Sequence, residues 1–340
     1  MKLIKTEDAV GHVLCHDMTQ IIKDEFKGAR FLKGHVVTEE DIPVLLSMGK
    51  ENLYVYEVTT GSVHENDAAE RLLALCGTEN MTRSEAREGK IELKAAIDGL
   101  FMVDSQRLMA VNSQDEVMIA TRKGGTAVKK GDKLAGMRVI PLIIEDEKLR
   151  KAEEAAGKEP LLCLKPFIRK TACVIATGSE VKKGLIKDTF TPVVVDKLKK
   201  FGIETVETGY SGDGIENVKN MILDMKERNH PDMILCTGGM SVDPDDTTPG
   251  GIKAAGADIV TYGAPVLPGA MFLLGYFEDG TPIMGLPGCV MYAKATVFDL
   301  VLPKVVADVK VTKADISALG EGGLCLGCGE CRYPVCPFGK

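Results

Sequence analysis

Three polar phrases in the third quarter of the chain carry residue types that handle anions. They are Thr177-Gly178-Ser179-Glu180, Ser211-Gly212-Asp213-Gly214 and Thr237-Gly238-Gly239-Met240-Ser241; the last runs on through Asp243, Asp245, Asp246, Thr247 and Thr248. Glycine tolerates the turns in which backbone amides approach an oxyanion closely. The hydroxyls of Thr177, Ser179, Thr237, Ser241 and Thr247 add donors. Carboxylates lie nearby in Glu180, Asp188, Asp213 and Asp246. A ligand phosphate beside carboxylates suits Mg2+, which keeps few protein ligands and several waters. Metal-assisted phosphoryl or nucleotidyl transfer is the chemistry such a set could perform. A tight turn or a helix cap explains any one phrase alone, but two such phrases in successive strand–helix units favour binding. No Walker pattern occurs, and TGSEVKKG lacks the spacing of a dinucleotide fingerprint.

A second cluster closes the chain: Cys325-x2-Cys328-x2-Cys331-x4-Cys336-Pro337, four thiols within twelve residues. Such a run can wrap one tetrahedral ion or a cluster, so an iron–sulfur centre or Zn2+ is expected here, with disulfides or free thiols as the other reading. Cys173 and Cys236 lie inside apolar runs and read as small core residues. Cys289, just after Leu286-Pro287-Gly288, reads as a packed cysteine, its sharper alternative being an activated thiolate.

The elements around the polar phrases follow a pattern. Thr171 to Ala176, Ile203 to Val206, Asp232 to Cys236 and Ile283 to Leu286 are compact apolar runs that predict strands. Helical spacing covers Pro192 to Phe201 and Glu216 to Arg228, and an apolar helix is expected over Val290 to Val306. Strands alternating with helices predict βαβ units: a doubly wound, mostly parallel sheet with helices on both faces. Right-handed crossovers would place the three phrases along the carboxyl edge of that sheet.

Upstream, residues 1–60 read as a small α+β unit and 61–158 as a second, followed by the α/β domain at 159–310 and a Cys-rich tail at 311–340. In the second unit the spacing predicts helices at Glu65 to Cys76 and at Ile91 to Ala96, and strands near 99–104 and 117–121. The chain has 340 residues, 45% hydrophobic and 27% charged, with net charge −7 and no tryptophan. That balance argues against a broad nucleic-acid surface or a base-stacking platform. No apolar run reaches the length of a membrane span and the N-terminus lacks a signal-peptide pattern, so the expectation is a cytoplasmic protein with no membrane partner.

The set TGSE, Asp188, SGDG, TGGMS, DPDDTTP and LPG, in that order over about Thr171 to Val306, resembles the molybdopterin-binding domain of molybdenum-cofactor biosynthesis proteins. The resemblance implies a doubly wound α/β domain that binds molybdopterin or its adenylylated form. It implies either Mg2+-dependent adenylyl transfer from ATP or insertion of molybdate into the adenylylated cofactor. Carried over by position, it assigns catalytic roles to Asp188, Asp213 and Asp246. Ligand binding falls to Thr177, Gly178, Ser179, Glu180, Gly212, Thr237, Gly238, Gly239, Ser241, Asp245, Thr247, Pro287 and Gly288. It also implies a homo-oligomer, with molybdoenzymes or other cofactor-biosynthesis proteins as partners. The competing expectation is a non-catalytic module that holds a pterin or nucleotide and uses its cysteine tail to bind metal or sense redox state.

Overall fold

Alternation of apolar residues decides which stretches pair as strands and which coil as helices. In the computed structural model, residues 2–22, 26–56, 61–185, 187–241, 243 and 246–340 are described. They form two units. The first comprises residues 1–94, 104–122 and 133–163; the second comprises 95–103, 123–132 and 164–340.

In the first unit, Lys2–Lys5 pairs antiparallel with Asn52–Val55, and Met18–Ile22 with Phe26–Phe31. A small core of Leu14, Met18, Phe31, Val37, Leu45, Leu53 and Val55 fills the space around them. A four-stranded sheet follows, in the order Met81–Arg83, Lys90–Ala95, Lys133–Val139, Val117–Thr121. Ile91 to Ala96, expected as helix, is therefore strand. Ile91, Leu93 and Ala95 are buried while Lys90 and Lys94 are exposed, and that period of two overrides the weak helical signal. Glu65–Cys76 is helical as its spacing requires, with Ala68, Ala69, Leu72, Leu73 and Cys76 turned inward.

The second unit carries the polar phrases, and its elements from Thr171 onward are numbered here. Strands are β1 (Thr171–Thr177), β2 (Glu204–Ser211), β3 (Met233–Thr237), β4 (Asp258–Tyr262), β5 (Leu273–Tyr276) and β6 (Pro282–Leu286). Helices are α1 (Ser179–Lys182), α2 (Phe190–Lys199), α3 (Ile215–Asn229), α4 (Thr248–Ala254), α5 (Val297–Val306) and α6 (Lys313–Ala318). The sheet order is β2-β1-β3-β6-β5-β4. The first four strands run parallel; β5 and β4 add on antiparallel.

The continuous apolar run of β1 reflects burial on both faces. Ala172 and Val174 pack with Val194 and Leu198 of α2 and Phe298, Val301 and Leu302 of α5. Cys173 and Ile175 join Val218, Ile222 and Met225 of α3 and Ile252 of α4 on the other face. Buried thiols there are held protonated: burial pushes Cys236 up to about 12 and Cys173 to about 11.

The closing helix starts later than expected. A 3-10 turn occupies Gly288–Met291, and α5 begins only at Val297. Thr296 and Asp299 form a reciprocal capping box that fixes this start.

Asp232 ties the entry of β3 to that of β1. Its Oδ2 accepts the amides of Lys170 (2.6 Å) and Thr171 (2.9 Å) and the Thr171 hydroxyl (3.1 Å). Burial pushes this carboxyl up, but the hydrogen bonds outweigh it and its pKa lies below the ordinary value. A depressed folded pKa adds stability that is present above the unfolded carboxyl's pKa and lost as pH falls through the folded one. Asp232→Asn is therefore expected to flatten the acid limb of urea stability measured below about pH 4. An unchanged acid limb in the variant would remove this assignment.

Candidate functional site

The carboxyl ends of β1, β2 and β3 bring the three phrases together. Thr177 closes β1 with its side chain buried; its Oγ1 donates to the Thr237 carbonyl at 3.0 Å and lies 2.8 Å from Thr248 Oγ1. Ser179 donates its amide to Asp213 Oδ2 at 3.0 Å, and Asp213 returns its amide to Ser179 Oγ at 3.3 Å. Gly214 donates its amide to Thr247 Oγ1 at 2.8 Å, and Thr248 donates its own to the Gly239 carbonyl at 3.2 Å. Ser241 gives its amide to Asp246 Oδ2 at 2.7 Å. TGSE, SGDG and TGGMS thus form one hydrogen-bonded network.

Two glycines make its closest approaches possible. Gly238 and Gly239 have φ +84° and +54°, where side chains are disfavoured. A Cβ on Gly238 would lie 2.4 Å from the Thr177 carbonyl oxygen, and one on Gly239 would lie 2.7 Å from Thr248 Oγ1. Met240, buried against Gly285 of β6, anchors the far side of this loop. The Tyr262 hydroxyl of β4 donates to the Met240 carbonyl at 3.0 Å.

Asp188 sits apart from this network. Its Oδ1 accepts the amides of Phe190 (2.9 Å) and Thr191 (3.0 Å) at the start of α2, while its Oδ2 is buried with no partner among the described residues. The neighbouring Thr189 hydroxyl reaches Met291 Sδ at 3.0 Å, which ties this loop to the turn after Pro287 and Gly288. The space where a Gly288 Cβ would point is open. Glu180 folds back over Gly178, its carboxyl 3.6 Å from that glycine's would-be Cβ. Asp245 lies outside the described residues.

Asp188, Asp213 and Asp246 are not gathered into a common ligand set: among the described residues no group of three or more His, Cys, Asp or Glu side chains is arranged to hold a metal ion. Asp213 and Asp246 each spend one oxygen on a backbone amide, which is a loop-shaping task.

Cys325, Cys328, Cys331 and Cys336 likewise form no such group among the described residues. The tail is held by other groups. Gly339 donates to the Gly322 carbonyl (2.9 Å), Cys325 donates its amide to the Leu267 carbonyl (2.8 Å), and the Tyr333 hydroxyl donates to the Asp299 carbonyl (3.0 Å). Phe338 is buried in the core. Cys325 and Cys336 are half-buried against that core, whereas Cys328 and Cys331 are exposed.

Cys289 is half-buried. Burial pushes its thiol up, and a backbone hydrogen bond and then the charge of Lys197 offset this only in part. Timed alkylation at neutral pH is expected to label Cys163, Cys328 and Cys331 first and to leave Cys76, Cys173 and Cys236 unlabelled until the protein unfolds. Peptide mass spectrometry reads the order; early labelling of Cys289 would restore the thiolate reading.

Residues the sequence did not single out also reach the site. Asn217, in the first turn of α3, donates to the Asp213 carbonyl at 2.7 Å. The Lys182 stem lies over Gly212. Lys182 carried a weak signal, being a cation two residues past TGSE. Tyr262 carried none, because it lies 21 residues beyond Ser241 and meets the loop only through the sheet.

Comparison with known proteins agrees with this geometry. Residues 173–307 match the family described as a probable molybdopterin binding domain, and residues 3–57 match a domain of unknown function. Over residues 173–307 the α/β domain is thus similar to the molybdopterin-binding domain family. A molybdopterin molybdenumtransferase of Staphylococcus epidermidis is 30% identical over 125 residues, covering 35% of this chain and 29% of that protein. A CinA-like protein of Pseudothermotoga lettingae is 34% identical over 79 residues, covering 23% of this chain and 19% of that protein. The matched stretch thus spans less than a third of either curated relative. Among solved structures, a molybdopterin biosynthesis Mog protein from Mycobacterium ulcerans is 24% identical, with TM-score 0.33, over 41% of this chain and 93% of that one. Among the described residues, no helix is long and apolar enough to cross a membrane.

Proposed function

We propose that the α/β domain binds molybdopterin, or its adenylylated form, at the joined ends of β1, β2 and β3. The Gly238–Gly239 turn supports this reading most directly. It requires glycine twice, at positive φ, where the chain presses on Thr177 and Thr248. Such a turn presents amides to an anion, and the hydroxyls of Thr177 and Thr248 stand beside it.

The same reading assigns the reaction to one of two classes. In adenylyl transfer, a phosphate oxygen of molybdopterin attacks the α-phosphorus of ATP and pyrophosphate leaves. In molybdate insertion, the adenylylated cofactor takes up the oxyanion while its phosphoanhydride bond is hydrolysed and AMP leaves. Mg2+ would neutralise the phosphates in either case, held by few protein oxygens. Asp213 and Asp246 fit that role, because each carries a second carboxylate oxygen besides the one bound to an amide.

One observation favours the non-catalytic alternative: the three acids are dispersed and serve the backbone. Purified protein assayed anaerobically with molybdopterin separates the readings. Binding together with pyrophosphate release from Mg-ATP, reduced about 100-fold in Asp213→Ala, supports adenylyl transfer. Binding with no turnover by either variant, in the presence of ATP or of molybdate, leaves a binding module. No binding at all removes the assignment.

A further inference from the structure

We infer that Lys182 and Asn217 clamp the terminal phosphate of the bound ligand over Gly212. This inference rests on the molybdopterin-binding reading above and names the groups that recognise one part of that ligand.

Gly212 is ringed by three side chains from α1 and α3. A Cβ built on it would lie 3.5 Å from Lys182 Cδ, 3.6 Å from Ser179 Oγ and 3.9 Å from Asn217 Nδ2. Its φ is not positive, so the backbone there does not demand glycine. What glycine supplies is room: a space about one methyl group in size, bordered by donors.

Those donors are available. Asn217 Nδ2 gives one N–H to the Asp213 carbonyl at 2.7 Å and keeps a second. Ser179 Oγ accepts the Asp213 amide at 3.3 Å, which leaves its own proton to give. Lys182 is exposed and makes no ion pair among the described residues, while the nearby Asp213 Oδ2 is already bound to the Ser179 amide. The cradle also lies beside the start of the 15-residue helix α3, whose dipole favours negative charge.

Charge explains why a cation is needed here. Glu180, Asp213 and Asp246 lie in the segments around the site, in a chain of net charge −7. A dianionic phosphomonoester entering that field needs local neutralisation, and the Lys182 stem already reaches across Gly212. Molybdopterin ends in such a phosphomonoester. The same groups would not hold a neutral, dephosphorylated pterin.

The test compares wild type with Lys182→Ala, Lys182→Arg, Asn217→Ala and Gly212→Ala. Anaerobic titrations use molybdopterin and its dephosphorylated form, and each variant's melting temperature is recorded. Gly212→Ala is informative because its new Cβ makes only ordinary contacts, so the fold tolerates it while the cradle is filled. Lys182→Ala and Gly212→Ala are each expected to weaken molybdopterin binding by about tenfold or more, a loss typical of a charge-assisted contact. Melting temperatures and the affinity for the dephosphorylated ligand should stay unchanged. Lys182→Arg should retain most of the affinity, and the salt dependence of binding should fall in Lys182→Ala. Wild-type binding of molybdopterin that is matched by Lys182→Ala and Gly212→Ala overturns this inference and leaves the binding reading intact. Wild-type failure to bind molybdopterin overturns both.

Discussion

Gly238→Val is expected to cut the affinity for molybdopterin by about 100-fold or more and to lower the melting temperature as well. Gly238 holds φ +84°, a conformation that costs a residue with a Cβ about 1–2 kcal/mol. Its Cβ would also lie 2.4 Å from the Thr177 carbonyl oxygen, which is main chain at the end of a central strand and cannot swing aside. The loop must then move away from β1, and the Gly239–Thr248 and Thr177–Thr248 bonds break with it. Gly238→Ala should act in the same direction. Titration calorimetry with molybdopterin, beside thermal unfolding, measures both effects. A Gly238→Val protein that binds as wild type would show that this turn is only a turn.

The second large effect belongs to a buried ion pair away from the anion loops. Lys197 of α2 lies beside Asp299 of α5, with Nζ 2.6 and 2.7 Å from the two carboxylate oxygens, and it also donates to the Lys294 carbonyl at 3.0 Å. Their side chains are only 8% and 15% exposed, so neither partner can turn to water when the other is lost. Lys197→Met leaves the Asp299 charge buried without its counter-ion and is expected to cost about 3–5 kcal/mol in urea unfolding. Adding Asp299→Asn removes that charge yet keeps an oxygen for the Thr296 cap, so the double variant should recover much of the loss. A single variant within about 1 kcal/mol of wild type would mean that the pair is effectively solvated.

Much of the α/β domain was legible from local pattern. Runs such as TACVIA and MILC are apolar without alternation because both faces of β1 and β3 are covered, and that fact is written in residue type alone. The order of TGSE, SGDG and TGGMS was also enough to place the three phrases along one sheet edge. Where local signals were balanced, the reading slipped. Ile91 to Ala96 contains both a helix-forming composition and a strand alternation, and only pairing with Lys133–Val139 settles it as strand. The late start of α5 depended on the Thr296–Asp299 cap, whose strength shows only once both side chains are placed.

The chain itself determined which chemical groups lie at the sheet edge: glycines where amides must approach an anion, hydroxyls beside them, and acids around the rim. Tertiary structure decided how those groups are used. It committed one oxygen each of Asp188, Asp213 and Asp246 to backbone amides, and it anchored the tail through Tyr333, Phe338 and main-chain bonds. It also brought Lys182, Asn217 and Tyr262 to the loops. The physical reason is that residue type and spacing set what a loop can bind. Which of its atoms remain available depends on partners that lie tens of residues away and meet only when the sheet closes.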